Sequence, residues 1–352
     1  MRILLDIHHP KHVHFFRPLL KRWFVRGDIV QIITRDKDIT HALLDRFGLP
    51  YVCLSRQQHS YRAAIELLTR WYRFAMWIRR FRPDCALSVA GITTAPPSRI
   101  LGVPNIALTD TETATLSNRI AFPFADCILT PEWFQGRFGA RHHTYRGFHE
   151  WAYLHPDEFS PDAEIVRTEK IDPHEPYAIV RLVKWDAAHD RGESGFSRAD
   201  AINLVTGLSK TMRVHISAEG DLPAELAAFR AHFRVEWIHH VLAFATLVVG
   251  ESPSMATESA LLGVPAVLAS SWAGRCGNMQ VLEQRFGLMR VFSDGAAAVQ
   301  TALELAAHPR ARAEIVARRD QLTRELECVP DVIEKHINEL VKASSSNRRS
   351  ET

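Results

Sequence analysis

A rhythm along the chain constrains its fold more than anything else. Short apolar runs of strand length alternate with stretches carrying apolar residues at helical spacing, in two separate series. Such alternation is the pattern of βαβ units built around a parallel sheet. Ile3-Leu4-Leu5 reads as a first strand, 15–26 as a helix closed by Gly27, and 29–33 as the next strand. Runs at 85–89, 106–108 and 127–129 follow, each leading into a polar or glycine-containing loop. The stretch 155–176 carries four prolines among charged residues, and beyond it strand-like runs recur at 177–183, 213–217, 247–250 and 266–269. The expectation is an α/β chain with a Rossmann-like domain over 1–160, a linker over 161–176, a second Rossmann-like domain over 177–342, and a polar, disordered tail over 343–352. Mostly parallel sheets of this kind bind ligands at the carboxyl ends of their strands, so two facing domains would share a cleft.

Composition narrows the possibilities. At 352 residues the chain is long enough for two cores. The formal charge is only +3, and the basic residues do not gather into a long run, which disfavours a broad nucleic-acid footprint. Cys53, Cys85, Cys127, Cys276 and Cys328 are scattered without a C-x-x-C pair, which argues against a disulfide framework and a thiolate zinc site and points to the cytoplasm. No secretory pattern opens the sequence, and no apolar stretch reaches the roughly 18 residues of a membrane span. The segment 61–82 interleaves Trp71, Tyr72, Phe74 and Trp77 with Arg70, Arg73, Arg79 and Arg80. It reads either as a helix lying on the anionic inner face of a membrane or as a helix packed through its aromatic face with solvated arginines.

The stretch most informative for chemistry is "VVGESPSMATESALLGVPAV", at 248–267: strand, polar turn, helix and strand in quick succession. Free N–H groups at the helix start, the hydroxyls of Ser252 and Ser254, and the helix dipole together suit a phosphate or diphosphate. Glu258, one turn further on, offers two carboxylate oxygens to the vicinal hydroxyls of a ribose. The same residues also suit an ordinary capped helix.

In length and order this stretch resembles the nucleotide-sugar motif of GT-B-fold glycosyltransferases and of the non-hydrolysing UDP-N-acetylglucosamine 2-epimerases. Together with "DIHHPKHVHFFRPLLKRWFVRGDIVQIITRD", "HDRGESG" and "ISAEGDLP", it resembles the domain of unknown function 354 family, a GT-B-like group. The resemblance spans nearly the whole chain. It implies a GT-B-like fold with a nucleotide sugar, expected to be a UDP-sugar, held by the C-terminal domain through Ser252, Ser254, Met255, Thr257 and Glu258. It further implies nucleotide contacts from Glu219 and from His240, and a donor-sugar contact from Asn278, a residue that reads first as the cap of its helix.

On the other domain, His12 resembles the histidine that ends the first loop of the enzyme adding N-acetylglucosamine to lipid-linked peptidoglycan precursor. Pro10 and Lys11 stand where that enzyme has glycines, so Lys11 is expected to supply charge instead. Asp110 and Glu112 follow a strand and match the segment of acidic residues in both enzyme classes; either is a candidate general base or a solvated capping acid. His189, in the loop after the first strand of the second series, is a candidate acid. Four histidines in seven positions at 8–14 also raise a metal, but Pro10 is expected to break any helical register between His8 and His12, and no cysteine or carboxylate cluster completes a set.

The chain carries no G-x-G-x-x-G after its first strand, no Walker loop and no Gly-x-Ser-x-Gly elbow. The expected function is transfer of a sugar from a nucleotide donor to a hydroxyl of a saccharide or lipid-linked acceptor in cell-surface polysaccharide or glycolipid synthesis, with no cofactor and no metal. The alternatives are a 2-epimerase-like enzyme, whose arginine-and-glutamate signature is missing here, and a nucleotide-sugar-binding protein without turnover.

Overall fold

The structure, a computed structural model, describes residues 1–58, 62–183, 195–270 and 277–350. It divides into two compact units, one formed by Met1–Glu158 with Glu327–Thr352 and the other by Phe159–Leu326.

In the first unit, β1 (Arg2–Ile7) leads into α1 (Pro10–Arg26), then β2 (Ile29–Asp36), α2 (Thr40–Arg46), β3 (Tyr51–Arg56) and α3 (Arg62–Phe81). There follow β4 (Cys85–Val89), α4 (Ala95–Ile100), β5 (Asn105–Leu108), α5 (Thr115–Ala121), β6 (Cys127–Pro131), β7 (His142–Tyr145) and α6 (Trp151–Leu154). The seven strands pair in parallel in the order β3-β2-β1-β4-β5-β6-β7. β4, β5 and β6 are buried at every position, as strands covered on both faces must be.

Two local features differ from the sequence expectation. The first helix starts at Pro10 rather than Phe15, because His9 caps it, its Nδ1 accepting from the Lys11 N–H at 3.2 Å, and Pro10 occupies a first-turn position where a missing N–H costs nothing. The histidine-rich stretch is therefore a helix start, and Pro10 opens the register it was expected to break. On α3, Phe74, Ile78 and Phe81 pack against Leu4, Ile33 and Ala86 as an aromatic face should, but Arg70 is not solvated. It is buried 3.5 Å from the carboxylate of Asp6. Ile65, Leu68, Tyr72 and Met76 form an exposed stripe on the same helix. Among the described residues no helix is long and apolar enough to cross a membrane.

The second unit contains α7 (Ala163–Thr168), β8 (Tyr177–Leu182), α8 (Arg198–Leu208), β9 (Arg213–Ala218), α9 (Ile238–Phe244), β10 (Leu247–Gly250) and α10 (Pro253–Leu261). It continues with β11 (Ala266–Ala269), α11 (Gly277–Gln280), β12 (Met289–Phe292), α12 (Gly295–Ala307) and α13 (Ala311–Glu325). Its five strands are parallel in the order β12-β11-β10-β8-β9. Val180, Leu204, Val249, Val267 and Ala298 lie in its main core. The stretch expected to be a linker belongs to this unit: Asp162 caps α7, and Val166 and Ile171 are buried. Prolines and charges mask two anchoring apolar side chains.

The chain then returns to the first unit as α14 (Val329–Ser350), which buries Val329, Ile333 and Ile337 on one face. Arg22 reaches Asp331 at 2.5 Å, and the Trp23 indole N–H and Arg26 both meet Glu334. α14 thus runs past the expected boundary at 342 and into the stretch expected to be a disordered tail. Helix continues to Ser350, and it belongs with the beginning of the chain.

Candidate functional site

Each sheet has one place where strand order reverses relative to chain order, and crevices at such points are where open α/β sheets take ligands. In the first unit it lies between β1 and β4. There Asp6 is fully buried, with His8 Nδ1 at 3.3 Å and Arg70 at 3.5 Å. Burial pushes the Asp6 carboxyl up, but the Arg70 charge and the His8 contact outweigh it and hold the group below its usual range. Immediately after β4, Ala90 (φ 67°) and Gly91 (φ 70°) are both in the left-handed region. A Cβ on Gly91 would stand 2.8 Å from that of Ala107, so only glycine fits.

From the helix start that His9 caps, Lys11 extends its ammonium to two acids from distant parts of the chain. Nζ lies 3.1 Å from Asp110 Oδ2, in the loop after β5, and 2.8 Å from Glu150 Oε1, at the start of α6. Burial disfavours the charged lysine, yet Asp110 and Glu150 raise it well above its ordinary value. The two acids part company. For Asp110, burial is outweighed by the charges of Lys11 and His149 and by hydrogen bonds from Lys11 and Thr111, which hold it well below the carboxylate range. For Glu150, burial and the neighbouring Asp110 charge win over Lys11, and its carboxyl is raised. One lysine charge cannot satisfy two buried carboxylates, so the pair splits into a strong and a weak acid.

Around this triad the polar groups are only partly paired. His149 is buried, stacked on Phe15 at 3.9 Å, and burial lowers its pKa to about 4. Among the described residues neither of its ring nitrogens has a hydrogen-bond partner, and the same holds for Glu150 Oε2, Tyr145 Oη and His12 Nδ1. Buried polar atoms left unpaired cost about 1–3 kcal/mol each, and several of them lie round this one ion cluster. His12 is buried within α1, its ring 4.5 Å from that of His8, and burial with the charges of His8, His9 and His149 keeps it neutral. Thus the structure brings together His12, Asp110 and Lys11, which the sequence pointed to, and adds Glu150 and His149, which it did not. Glu112 is elsewhere: its Oε1 accepts from the Gln135 N–H at 3.4 Å, and it lines a pocket of about 640 Å³ with Asn118, Arg119, Phe134 and Arg137.

The second unit's reversal point lies between β8 and β10. Gly250, which ends β10, approaches so closely that a Cβ would meet the Arg181 carbonyl oxygen at 2.5 Å. Next comes Glu251, to which the sequence reading assigned no role. Its Oε2 accepts from the Val183 N–H at 2.8 Å and its Oε1 from the Phe196 N–H at 2.9 Å, so one carboxylate joins the backbone just after β8 to that just before α8. His189 falls between them and lies outside the described residues.

Ser252 then caps α10, accepting from the Met255 N–H at 3.4 Å, with Pro253 in the first turn. Ser254 is exposed, Met255 half-buried and Thr257 buried. Glu258 stands 3.2 Å from Nε2 of the buried His239. Glu219 is paired with Arg181, which also donates to Ser217 at 2.9 Å. The ring of His240 turns to the Asp162 N–H at 3.1 Å and to Phe159, so its visible contacts hold the segment before α7. Asn278 is buried in α11, and its Oδ1 has no partner among the described residues.

Comparison with solved structures supports the architecture. The spinosyn forosaminyltransferase SpnP matches with a TM-score of 0.65 at 14% identity, covering 97% of this chain and 99% of that one. The UDP-GlcNAc 2-epimerase from Neisseria meningitidis, bound to UDP-GlcNAc, matches with a TM-score of 0.64 at 10% identity over 90% and 94%. The glycosyltransferase VinC in complex with dTDP matches with a TM-score of 0.60 at 12% identity over 97% and 100%. The two parallel α/β units are thus those of a GT-B fold. No curated protein matches the chain. The family described as "Protein of unknown function (DUF354)" matches over residues 1–181, which takes in β1 to β7, most of β8 and the whole Lys11 cluster, and the chain belongs to that family.

Proposed function

We propose that this protein transfers a sugar from a nucleotide donor, a UDP-sugar, to a hydroxyl acceptor of a polysaccharide or glycolipid. The observation that carries the reading is the buried cluster in which Lys11 Nζ lies 3.1 Å from Asp110 and 2.8 Å from Glu150, two acids from distant parts of the chain held on one ammonium. Of the two acids, burial and the neighbouring Asp110 charge raise Glu150, and a raised carboxyl accepts a proton more readily than a lowered one. In this reading the acceptor oxygen bonds to the anomeric carbon, the carbon–oxygen bond to the diphosphate breaks, and the hydroxyl proton passes to Glu150. Lys11 and Asp110 position that carboxylate. The start of α10 receives the diphosphate through free N–H groups and the helix dipole. Glu258, oriented by His239, accepts from the ribose hydroxyls. The solved structures bound to UDP-GlcNAc and dTDP support a nucleoside-diphosphate donor in general.

The test begins with thermal stabilisation by UDP, dTDP and their sugars, since a ligand of the folded state raises stability by RT ln(1 + [L]/Kd). UDP stabilises the protein, and Glu258→Ala removes that effect. Glu150→Gln keeps UDP binding and loses donor-dependent UDP release in the presence of acceptor saccharides. A chain that binds no nucleotide, or one whose Glu150→Gln variant turns over at the unaltered rate, overturns the proposal. The same acid pair also suits removal and return of a proton on the donor sugar itself. Conversion of UDP-N-acetylglucosamine to its 2-epimer without acceptor would assign that reaction instead.

A further inference from the structure

At the amino-terminal ends of β6 and β7, away from the loops that carry Asp110 and Glu150, three soft donors converge. Cys127 is the first residue of β6 and is buried. The register pairs Ile128 with His142 and Leu129 with His143, so Cys127 and His143 lie on the same face as diagonal neighbours. The third donor comes from α14, where the ring of His336 lies 5.0 Å from that of His143. One donor atom from each of the three can be chosen so that all lie within 4.8 Å of one another. Glu339, one turn further along α14, is near enough for its charge to act on both Cys127 and His143.

The orientation of His336 is already that of a ligand. Its Nδ1 lies 2.9 Å from the Val332 carbonyl oxygen, which can only accept, so Nδ1 is the donor there and Nε2 is the nitrogen that offers the lone pair in the neutral ring. Metal-binding histidines are set in this way, with the far ring N–H donated to a carbonyl or carboxylate. We propose that Cys127, His143 and His336 bind a zinc ion, with Glu339 or a water in the fourth position, and that the ion fastens α14 to the seven-stranded sheet. Thiolate, two imidazoles and an oxygen match tetrahedral zinc, whose bonds of about 2.0–2.3 Å draw the three donors in by roughly 1 Å. His143 is exposed and gives the ion a path from solvent. A single cysteine suffices because the other ligands come from different elements, which is why the lack of a C-x-x-C pair in the sequence does not exclude the site.

The test uses the full chain without a polyhistidine tag, stripped with a chelator. Titration with Zn2+ is expected to show one equivalent bound and a rise in Tm that EDTA reverses, and Co2+ gives a thiolate charge-transfer band in the near ultraviolet. Cys127→Ser and His336→Gln each weaken Zn2+ binding by more than about tenfold, because losing a ligand costs at least as much as losing its supporting partner. A stripped protein that Zn2+ does not stabilise overturns the proposal. So does Zn2+ binding abolished by His8→Ala with His9→Ala but untouched by His336→Gln. If either ligand variant fails to fold, the cobalt spectrum of the unaltered chain decides: a bound Co2+ without a thiolate band refutes the assignment of Cys127.

Discussion

The two units share a fold but hold their special residues in opposite ways. In the first, Lys11, Asp110 and Glu150 come from separate elements and are fixed by their charges on one another. In the second, Glu251 and Ser252 are neighbours in one turn and are fixed by backbone N–H groups. A site built from charges depends on every member and on pH, whereas one built from backbone geometry loses its parts one at a time. The first arrangement can tune acids and bases; the second can cradle a fixed anion.

The largest expected effect tests the interdependence of the first site. Lys11→Met leaves two carboxylates without their cation and lowers unfolding free energy by roughly 3–5 kcal/mol in urea denaturation. A loss under 1 kcal/mol would mean that the acids do not rely on it. Next comes pH. His149 titrates at about 4 in the folded chain against 6.5 ordinarily, so the unfolded state binds more protons between those values. The contribution of His149 is therefore constant above pH 7, falls as pH drops from 6.5 to 4, and amounts to roughly 3 kcal/mol. His9 acts in the same sense. His149→Leu flattens part of that acid slope, and an unchanged slope would place the titration elsewhere.

The second unit is expected to respond more gently. Glu251→Ala frees the Val183 and Phe196 N–H groups and costs about 2 kcal/mol by thermal unfolding. Ser252→Ala removes one cap and costs about 1 kcal/mol, while Ser252→Gly costs only a few tenths. Losses as large as that of Lys11→Met would erase the contrast between the units.

The sequence made the repeating βα order legible because apolar runs and loop residues are local signals. It also marked the Ser252 cap, since capping is written within one turn. Glu150 and His149 escaped notice because their partners, Lys11 and Phe15, lie more than a hundred residues earlier, and nothing in a local window ties them together. The start of α1 was misjudged for a related reason: His12 and His14 are buried, so polar letters there hide a helix face. α7 and α14 show the same limit at the scale of domains, since tertiary docking assigned them where chain order did not.

The return of α14 has a consequence for synthesis on the ribosome. Residues 1–158 emerge first, but the helix that meets Arg22, Trp23 and Arg26 follows only after all of 159–326. At ~5–20 residues per second that interval is on the order of 10–30 s, much longer than local helix or hairpin formation takes. Throughout it the nascent first unit presents the surface that α14 will cover, so its assembly is completed last although its strands are made first.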